Sequence, residues 1–227
     1  MTNTAAQAEP RKRPTQARSR ATVAAMLEAA ARIIETHGRA ALTTNHVAER
    51  SGFSIGSLYQ YFPSKEALLA ELLRRERAML MHDVRQASES KAGLAQALEQ
   101  CVVAALRHQF GRPALALALE SIPASRAMQE EDDVLRQALC GQMAALLARH
   151  GVHAPETAAA DMIALCRGMI DASAQRGETD AAALLPRLRR AVHGYLHVSW
   201  PDAVDAGGSG WDPRQASQPL TSPTKSL

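Results

Sequence analysis

The apolar residues of this chain recur every three or four positions, and this period limits its fold more than any other feature. In the first clear example they are Val23, Met26, Leu27, Ala30, Ile33 and Ile34. Such a period places apolar side chains on one face of an α-helix, whereas a half-buried strand needs strict alternation. No long alternating run of β-branched residues occurs, and aromatic residues make up only 4% of the chain. The sequence therefore predicts an all-α fold.

Glycine, proline and hydroxyl residues divide this pattern into about nine helices. The first is predicted to begin near Thr15 and to end at Gly38, which suits a left-handed C-cap. Thr43, Ser54 and Ser64 are predicted N-caps, because their side-chain oxygens can accept hydrogen bonds from the first free amides of a helix. The later helices are predicted at about 44–51, 55–61, 65–87, 91–110, 113–121, 127–150, 155–177 and 181–198.

Charge is distributed unevenly along the chain. Residues 1–75 carry 11 Lys and Arg against 6 Asp and Glu, whereas residues 76–227 carry 15 against 17. The basic end favours a polyanionic partner. Residues 1–14 are polar and include the basic run 11–13, so they are predicted to form a disordered basic arm. Residues 201–227 are rich in Pro, Gly and Ser and are predicted to form a disordered tail.

Residues 43–62 contain two short predicted helices joined by a glycine turn, which is the helix-turn-helix layout. Gly52 tolerates the positive φ that such a turn needs, and Ala48 is small enough for the two helices to cross closely. The apolar residues predicted to hold the second helix against the rest of the domain are Val47, Phe53, Leu58 and Phe62. A plain helical hairpin in an enzyme core would show the same layout, so the spacing alone leaves both interpretations open.

The other face of the second short helix is small or hydrogen-bonding and has no acidic residue, as a helix that enters the major groove of DNA requires. Ser57 and Gln60 are predicted to hydrogen-bond base edges, and Ile55 to contact a thymine methyl group. Gly56 would let the backbone approach the DNA. The residues placed to bind phosphates are Thr44, Tyr59, Tyr61 and Lys65, with further contacts from Arg18, Arg20 and the run 11–13. The full predicted DNA-binding set is Thr43, Thr44, Asn45, Ser54, Ile55, Gly56, Ser57, Tyr59, Gln60, Tyr61 and Lys65.

Residues 43–69 resemble the TetR family of bacterial transcriptional repressors. The family pattern has a Thr-rich start, a hydrophobic-Ala pair, a glycine turn, Ser-x-Gly-x-Leu-Tyr-x-Tyr-Phe and then Lys-Glu-x-Leu-Leu. The matching residues are Thr43, Thr44, Val47, Ala48, Gly52, Ser54, Gly56, Leu58, Tyr59, Tyr61, Phe62, Lys65, Glu66, Leu68 and Leu69. The specific resemblance covers about residues 15–75, and the rest of the chain is similar to the family in length and helical character.

The resemblance implies an Ω-shaped homodimer in which each chain has two helical domains. Residues 15–63 would form a three-helix DNA-binding domain, and residues 64–200 a larger domain for effector binding and dimerisation. An effector would move helix 4, spread the two recognition helices of the dimer and release double-stranded operator DNA. Because a two-fold dimer reads two half-sites, a palindromic operator is expected.

Helices 8 and 9, which the resemblance implies pair with their copies in a four-helix bundle, are apolar over more than one stripe. An isologous dimer interface would account for this excess, although two helices central in a monomer would show the same pattern. The predicted interface residues are Met162, Cys166, Leu188, Val192 and Tyr195.

The resemblance also implies a pocket for a small-molecule effector among helices 4 to 8. The predicted lining residues are Met79, Cys101, His108, Phe110, Met143 and Met169. They are mostly apolar, and methionine suits an adaptable hydrophobic pocket. Methionine at helical spacing is also typical of ordinary core, so both interpretations stay open.

Other motifs argue against an enzyme or a metalloprotein. The chain has no Gly-rich phosphate loop, HExxH or GxSxG, and no cofactor is expected. His193 and His197 are four apart, but no third metal ligand is evident, so solvated or interface histidines are the preferred interpretation. The acidic run 130–133 is interpreted as a complement to the dipole of helix 7. With no signal peptide, no predicted membrane span and no cysteine pair, a cytoplasmic location is expected.

These features together predict a ligand-responsive, DNA-binding repressor that a small hydrophobic effector releases from a palindromic operator. The alternative hypothesis is a helical regulator or sequestering protein that answers to a protein partner and has no small-molecule effector. Dimerisation without any DNA contact would favour that alternative.

Overall fold

A computed structural model of the protein describes residues 17–122, 125–178 and 180–197. Over these ranges the chain forms nine α-helices, one short 3-10 turn at Arg39–Ala41 and no strand. The helices are α1 (Ala17–His37), α2 (Thr44–Ser51), α3 (Ile55–Tyr61), α4 (Lys65–Glu89), α5 (Leu94–Phe110), α6 (Pro113–Glu120), α7 (Arg126–Arg149), α8 (Pro155–Gln175) and α9 (Ala181–Leu196). The all-α fold is therefore confirmed. The predicted arm, the basic run 11–13 and the predicted tail lie outside the described residues.

The helices between Thr44 and Tyr61 have the predicted bounds, because their starts are determined by local hydrogen bonds. The amide of His46 donates to the Thr43 hydroxyl at 3.1 Å, and the amide of Ser57 donates to the Ser54 hydroxyl at the same distance. Gly52 ends α2 in the left-handed conformation, with φ 75° and ψ 17°. Side-chain capping thus acts within three residues, which is why the sequence alone could locate it.

The turn after α1 differs from its prediction. Gly38 has a positive φ of 76°, but its ψ of 167° is extended rather than left-handed helical. The chain then forms the 3-10 turn Arg39–Ala41, which the sequence did not predict. Leu42 follows this turn, and its side chain is fully buried in the protein interior.

Two hydrophobic cores organise the molecule. We call the first the N-terminal core; its buried residues come from α1, α2, α3, the start of α4 and, unexpectedly, α6. We call the second the C-terminal core; it is built from the end of α4 together with α5, α7, α8 and α9. None of the described helices is both long enough and apolar enough to cross a membrane.

The acidic run 130–133 has a different role from the one predicted. Helix α7 starts at Arg126 behind the N-cap Ser125, so the run lies beyond its first turn. Glu131 instead accepts two hydrogen bonds from Arg74 of α4, at 2.8 and 2.9 Å, and Asp132 pairs with Arg77. Two of the four residues therefore tie α7 to α4, whereas Glu130 and Asp133 pair with arginines of α7 itself. The dipole interpretation was wrong, because the run does not lie in the first turn.

Candidate nucleic-acid interface

Helix α3 presents opposite faces to the protein interior and to solvent. Leu58 is fully buried on one side, and Phe62, directly after the helix, is fully buried too. Ile55 is 37% exposed and Tyr59 is 43% exposed, although both are large and apolar. Because these two residues are four apart, they lie on one face of α3, which is therefore a candidate contact surface. We call α1–α3 together the reading head.

Hydroxyl groups surround this exposed face. The hydroxyls of Thr44 and Tyr59 lie 3.2 Å apart, so the first turn of α2 meets α3 there. The hydroxyls of Ser54 and Ser57 lie 2.9 Å apart at the start of α3. Neither helix has an acidic residue in its first turn. Hydroxyl groups beside free helix amides are well suited to phosphate oxygens.

Gly56 lies on the same exposed face, and nothing in the part of the chain that the structure describes requires a glycine there. A Cβ added at Gly56 would have the Ser54 hydroxyl oxygen as its nearest neighbour, at an ordinary contact distance of 3.9 Å. Glycine costs up to about 1 kcal/mol of helix stability relative to alanine. The face around Gly56 is therefore open to close approach by a partner.

Tyr61 is half-buried at the margin of the exposed face of α3. Its hydroxyl is 3.0 Å from that of Ser19 on α1, and its ring packs against the N-terminal core. Tyr61 follows Leu58 by three residues, so the helical period puts it near the buried face. Its phosphate contact stays a prediction. Ser19 was missed because nothing local connects residues 42 apart in sequence.

Lys65 begins α4 beside the reading head, as predicted, but its ammonium group already has a partner. Its Nζ donates to the main-chain oxygen of Arg39 at 3.2 Å. The exposed residues Arg18, Arg20, Asn45 and Gln60 lie on the reading head with no burial to restrict them. The reading head therefore combines an exposed α3 face that has no acidic residue with several exposed basic side chains.

Most of the predicted interface residues of α8 and α9 face inward. Met162, Leu188 and Val192 are buried in the C-terminal core of a single protomer, so they are not available on its surface. Their prediction as exposed interface residues was wrong, because α8 and α9 need their large apolar faces for each other and for α5 and α7. Cys166 is half-buried, whereas Tyr195 is exposed and its hydroxyl donates to Asp161 at 2.6 Å.

The predicted effector residues are spread over α4, α5, α7 and α8. Cys101 and Met143 are buried in the C-terminal core, and Phe110 and Met169 pack against it. Met79 and His108 are half-buried, and burial lowers the pKa of His108. A groove of about 390 Å³ lies along α7 and has other lining residues: Ala127, Glu130, Glu131 and Val134.

The cysteines of the C-terminal core are poorly suited to redox or metal chemistry. Burial raises the pKa of Cys101 to about 12 and that of Cys166 to about 11, so both thiols stay protonated at neutral pH. In the part of the chain that the structure describes, no three His, Cys, Asp or Glu side chains converge on a common point.

Two short helices with a glycine turn, packed on α1 and with one polar face open, define a DNA-binding protein of the helix-turn-helix class. Residues 26–72 match the family model described as bacterial regulatory proteins of the tetR family. Residues 93–196 match the model described as the tetracyclin repressor-like C-terminal domain. The chain belongs to the TetR family of DNA-binding transcriptional regulators.

Solved structures show the same fold at low sequence identity. A TetR transcription regulator from Haloarcula marismortui has a TM-score of 0.65 at 18% identity, covering 78% of this chain and 97% of its own. FadR, a fatty acid degradation regulator from Bacillus halodurans, has a TM-score of 0.64 at 15% identity, covering 83% and 100%. SmeT, in complex with triclosan, has a TM-score of 0.55 at 20% identity, covering 89% and 100%. No curated protein sequence matches the chain at a significant level.

Proposed function

We propose that this regulator is a ligand-responsive repressor that binds a palindromic operator as a homodimer and is released by a small hydrophobic effector. The observation that carries the proposal is the exposed face of α3, where Gly56 leaves space that the chain itself does not use. That face would lie in the major groove, which admits a single helix.

The contacts follow from the chemistry of each side chain. Ser57 and Gln60 would hydrogen-bond base edges, and Ile55 would pack on a thymine methyl group. The hydroxyls of Thr44 and Tyr59, already 3.2 Å apart, would share a phosphate. The remaining proposed contacts, from the same surface or its margin, are Thr43, Asn45, Ser54, Tyr61 and Lys65.

The dimer would use the outer faces of α8 and α9. These faces carry small exposed residues, among them Ala160, Ala164, Gly168 and Gly194. A Cβ added at Gly168 or Gly194 would meet no atom of the described residues within 4 Å, so packing among those residues does not explain either glycine. Small residues allow helices of two protomers to approach closely, and Tyr195 and Cys166 lie on the same helices.

The effector would bind among α4, α5, α7 and α8, next to the methionine and cysteine side chains of the C-terminal core. Similar folds support a hydrophobic ligand: FadR is a fatty acid degradation regulator and SmeT was solved with triclosan. Methionine-rich surroundings adapt to apolar ligands of different shape.

The proposal is tested by selecting duplexes from a random DNA library with the purified full-length protein. We expect a palindrome that is bound more tightly than competitor DNA at physiological salt, where phosphate contacts alone cannot imitate selectivity. Addition of small hydrophobic compounds to the complex should then release the operator. A dimer that shows no sequence preference would refute the DNA-reading part, and an operator complex that a protein partner but no compound dissociates would refute the effector part.

A further inference from the structure

Helix α6 is packed as part of the N-terminal core although it follows α5 in the chain. Leu115, Ala118 and Leu119 are buried there, and α6 packs against α1. Helix α5, in contrast, contributes its buried residues to the C-terminal core. Helix α4 contributes to both cores. The reading head is therefore joined to the C-terminal core in two ways: along α4 and through the corner between α5 and α6.

Two residues constrain the corner between α5 and α6. A Cβ added at Gly111 would lie 2.4 Å from the main-chain oxygen of Arg107, so this position requires glycine. Pro113 occupies the first turn of α6, where its ring fixes its own φ. Arg112 precedes this proline, which restricts the backbone conformation of Arg112.

The guanidinium group of Arg112 binds two carboxylates of α1. Its Nε and Nη2 donate to the two carboxylate oxygens of Glu35, at 2.6 and 2.7 Å. Its Nη1 and Nη2 also lie 3.4 Å from the two oxygens of Glu28, which is about two helical turns earlier on the same face of α1. A two-pronged arginine–carboxylate pair fixes orientation as well as distance, which a single point charge does not.

The same network extends to α4. Arg75 donates to Glu28 at 3.1 Å and to Glu76, which is only 8% exposed, at 3.0 Å. Burial by itself would raise the pKa of Glu28, but Arg112, Arg32 and Arg75 lower it below its ordinary value. Glu28 is therefore charged at neutral pH, and α1, α4 and α6 share one set of ion pairs.

The far end of α6 is held to the reading head as well. Arg39, in the 3-10 turn that leads to α2, donates to the main-chain oxygen of Ser121 at 2.8 Å and to its hydroxyl at 2.6 Å. Since both ends of α6 are bonded to the reading head, a rotation of the α5–α6 corner is transmitted to the head as a whole.

We propose that Arg112 is a positioning residue for operator binding: by holding α1 through Glu35 and Glu28, it sets the angle of the reading head and thereby the half-site separation that the dimer accepts. The inference rests on the proposed two-fold dimer, because half-site separation is a geometric property of such a dimer. Arg112 acts through α1 and not through the DNA-contact face of α3.

The test uses full-length protein and the palindrome that wild type selects. The same half-sites are moved apart or together one base pair at a time, and affinity is measured for each spacing. Wild type should bind one spacing best. Arg112→Met should weaken this discrimination by roughly two- to thirtyfold, the range of coupling changes at such sites. The slope of log affinity against log salt should not change, because the phosphate contacts are intact.

Three further variants separate positioning from general stability. Glu35→Gln should alter the spacing profile as Arg112→Met does, and Arg112→Lys should fail to restore it, since lysine cannot form the two-pronged pair. The matched control is Arg126→Met on α7, where a 91% exposed side chain pairs with Glu130 of the same helix; its profile should equal that of wild type.

Two results would overturn the inference: an unchanged spacing profile in Arg112→Met, or an equal loss at all spacings together with a lower Tm, which is what a merely structural role predicts. If Arg112→Met does not fold, Glu35→Gln decides by the same criteria. Wild-type protein without any sequence preference would contradict the proposed function itself, and this outcome is visible before any variant is measured.

Discussion

Helices α2 to α4 and the later helices begin in different ways. The side chains that cap α2, α3 and α4 by accepting an amide hydrogen bond are those of Thr43, Ser54 and Ser64. The residues that precede α5, α6 and α8 without a capping side-chain bond are Gly93, Arg112 and Ala154. Local chemistry therefore determines where α2, α3 and α4 begin, whereas three of the five later helices depend on packing for their starts.

A second comparison between the two regions concerns one helical glycine in each. Gly56 on α3 and Gly141 on α7 both lie inside helices, are exposed, and have no close neighbour that excludes a Cβ. Only Gly56 belongs to a surface that we propose contacts DNA. The comparison teaches that a sterically unnecessary glycine is informative only where a partner surface surrounds it.

The largest effect is expected for Gly56→Ala. The variant should be more stable by about 1 kcal/mol, because alanine favours the helix. Its operator affinity should fall roughly tenfold or more, the scale of a lost base contact. Denaturant unfolding and anisotropy titration measure the two quantities.

Gly141→Ala provides the matched control for that prediction. It should give a similar gain in stability and leave operator affinity at the wild-type value. If Gly56→Ala binds as well as Gly141→Ala, the surface around Gly56 does not approach DNA closely.

An intermediate effect is expected from the helix caps. Thr43→Ala should lower the free energy of unfolding by about 1 kcal/mol, because the amide of His46 loses its acceptor. Gly93→Ser should instead raise it by a few tenths of a kcal/mol, since serine adds a cap where none exists. Chemical denaturation followed by circular dichroism measures both. If the two substitutions changed the free energy of unfolding by the same amount, the proposed difference between the two regions would be contradicted.

The smallest effect concerns pH and compares Glu28 with Glu178. The folded pKa of Glu28 is lowered, so its charge stabilises the protein above its ordinary pKa of 4.5, and this contribution is lost as pH falls through the folded pKa. Glu28→Gln should therefore lower Tm at neutral pH, with a difference from wild type that shrinks in acid.

Glu178 tests whether an ion pair must join several helices to have that effect. Hydrogen bonds from Arg176 and Arg187 lower its pKa to about 2, but its side chain is 38% exposed and its partners lie close in sequence, at the end of α8 and in α9. Water and salt screen such a local pair. Glu178→Gln should change Tm less than Glu28→Gln at neutral pH. The reverse order would show that the network around Glu28 adds little to the junction of α1, α4 and α6.

The predicted exposure of the DNA-contact residues agrees best with the structure where helical period and capping both apply. Ser54, Ile55, Gly56, Tyr59 and Gln60 are exposed as expected. Tyr61 is less open than these residues, because its spacing of three from Leu58 puts it near the buried face of α3. Its bond to Ser19 depends on the packing of α3 on α1 and has no local signal.

The errors in α8 and α9 have another origin. An apolar helix face indicates that its residues are buried, but it does not indicate which helices or protomers cover them. For Met162, Leu188 and Val192, the neighbouring helices of the same protomer do so. The outward faces carry small residues instead, which a search for large apolar side chains does not detect.

The sequence by itself determined the all-α fold and the starts of α2, α3 and α4, because an apolar period and a capping bond act over three or four residues. It also located α3, the helix that we propose enters the major groove, with Gly56 in its exposed face. Only the tertiary structure decided that α6 joins the N-terminal core and that Arg112 meets Glu35 and Glu28, 77 and 84 residues away. Such ion pairs leave no local signal, since their partners are brought together by packing of whole helices.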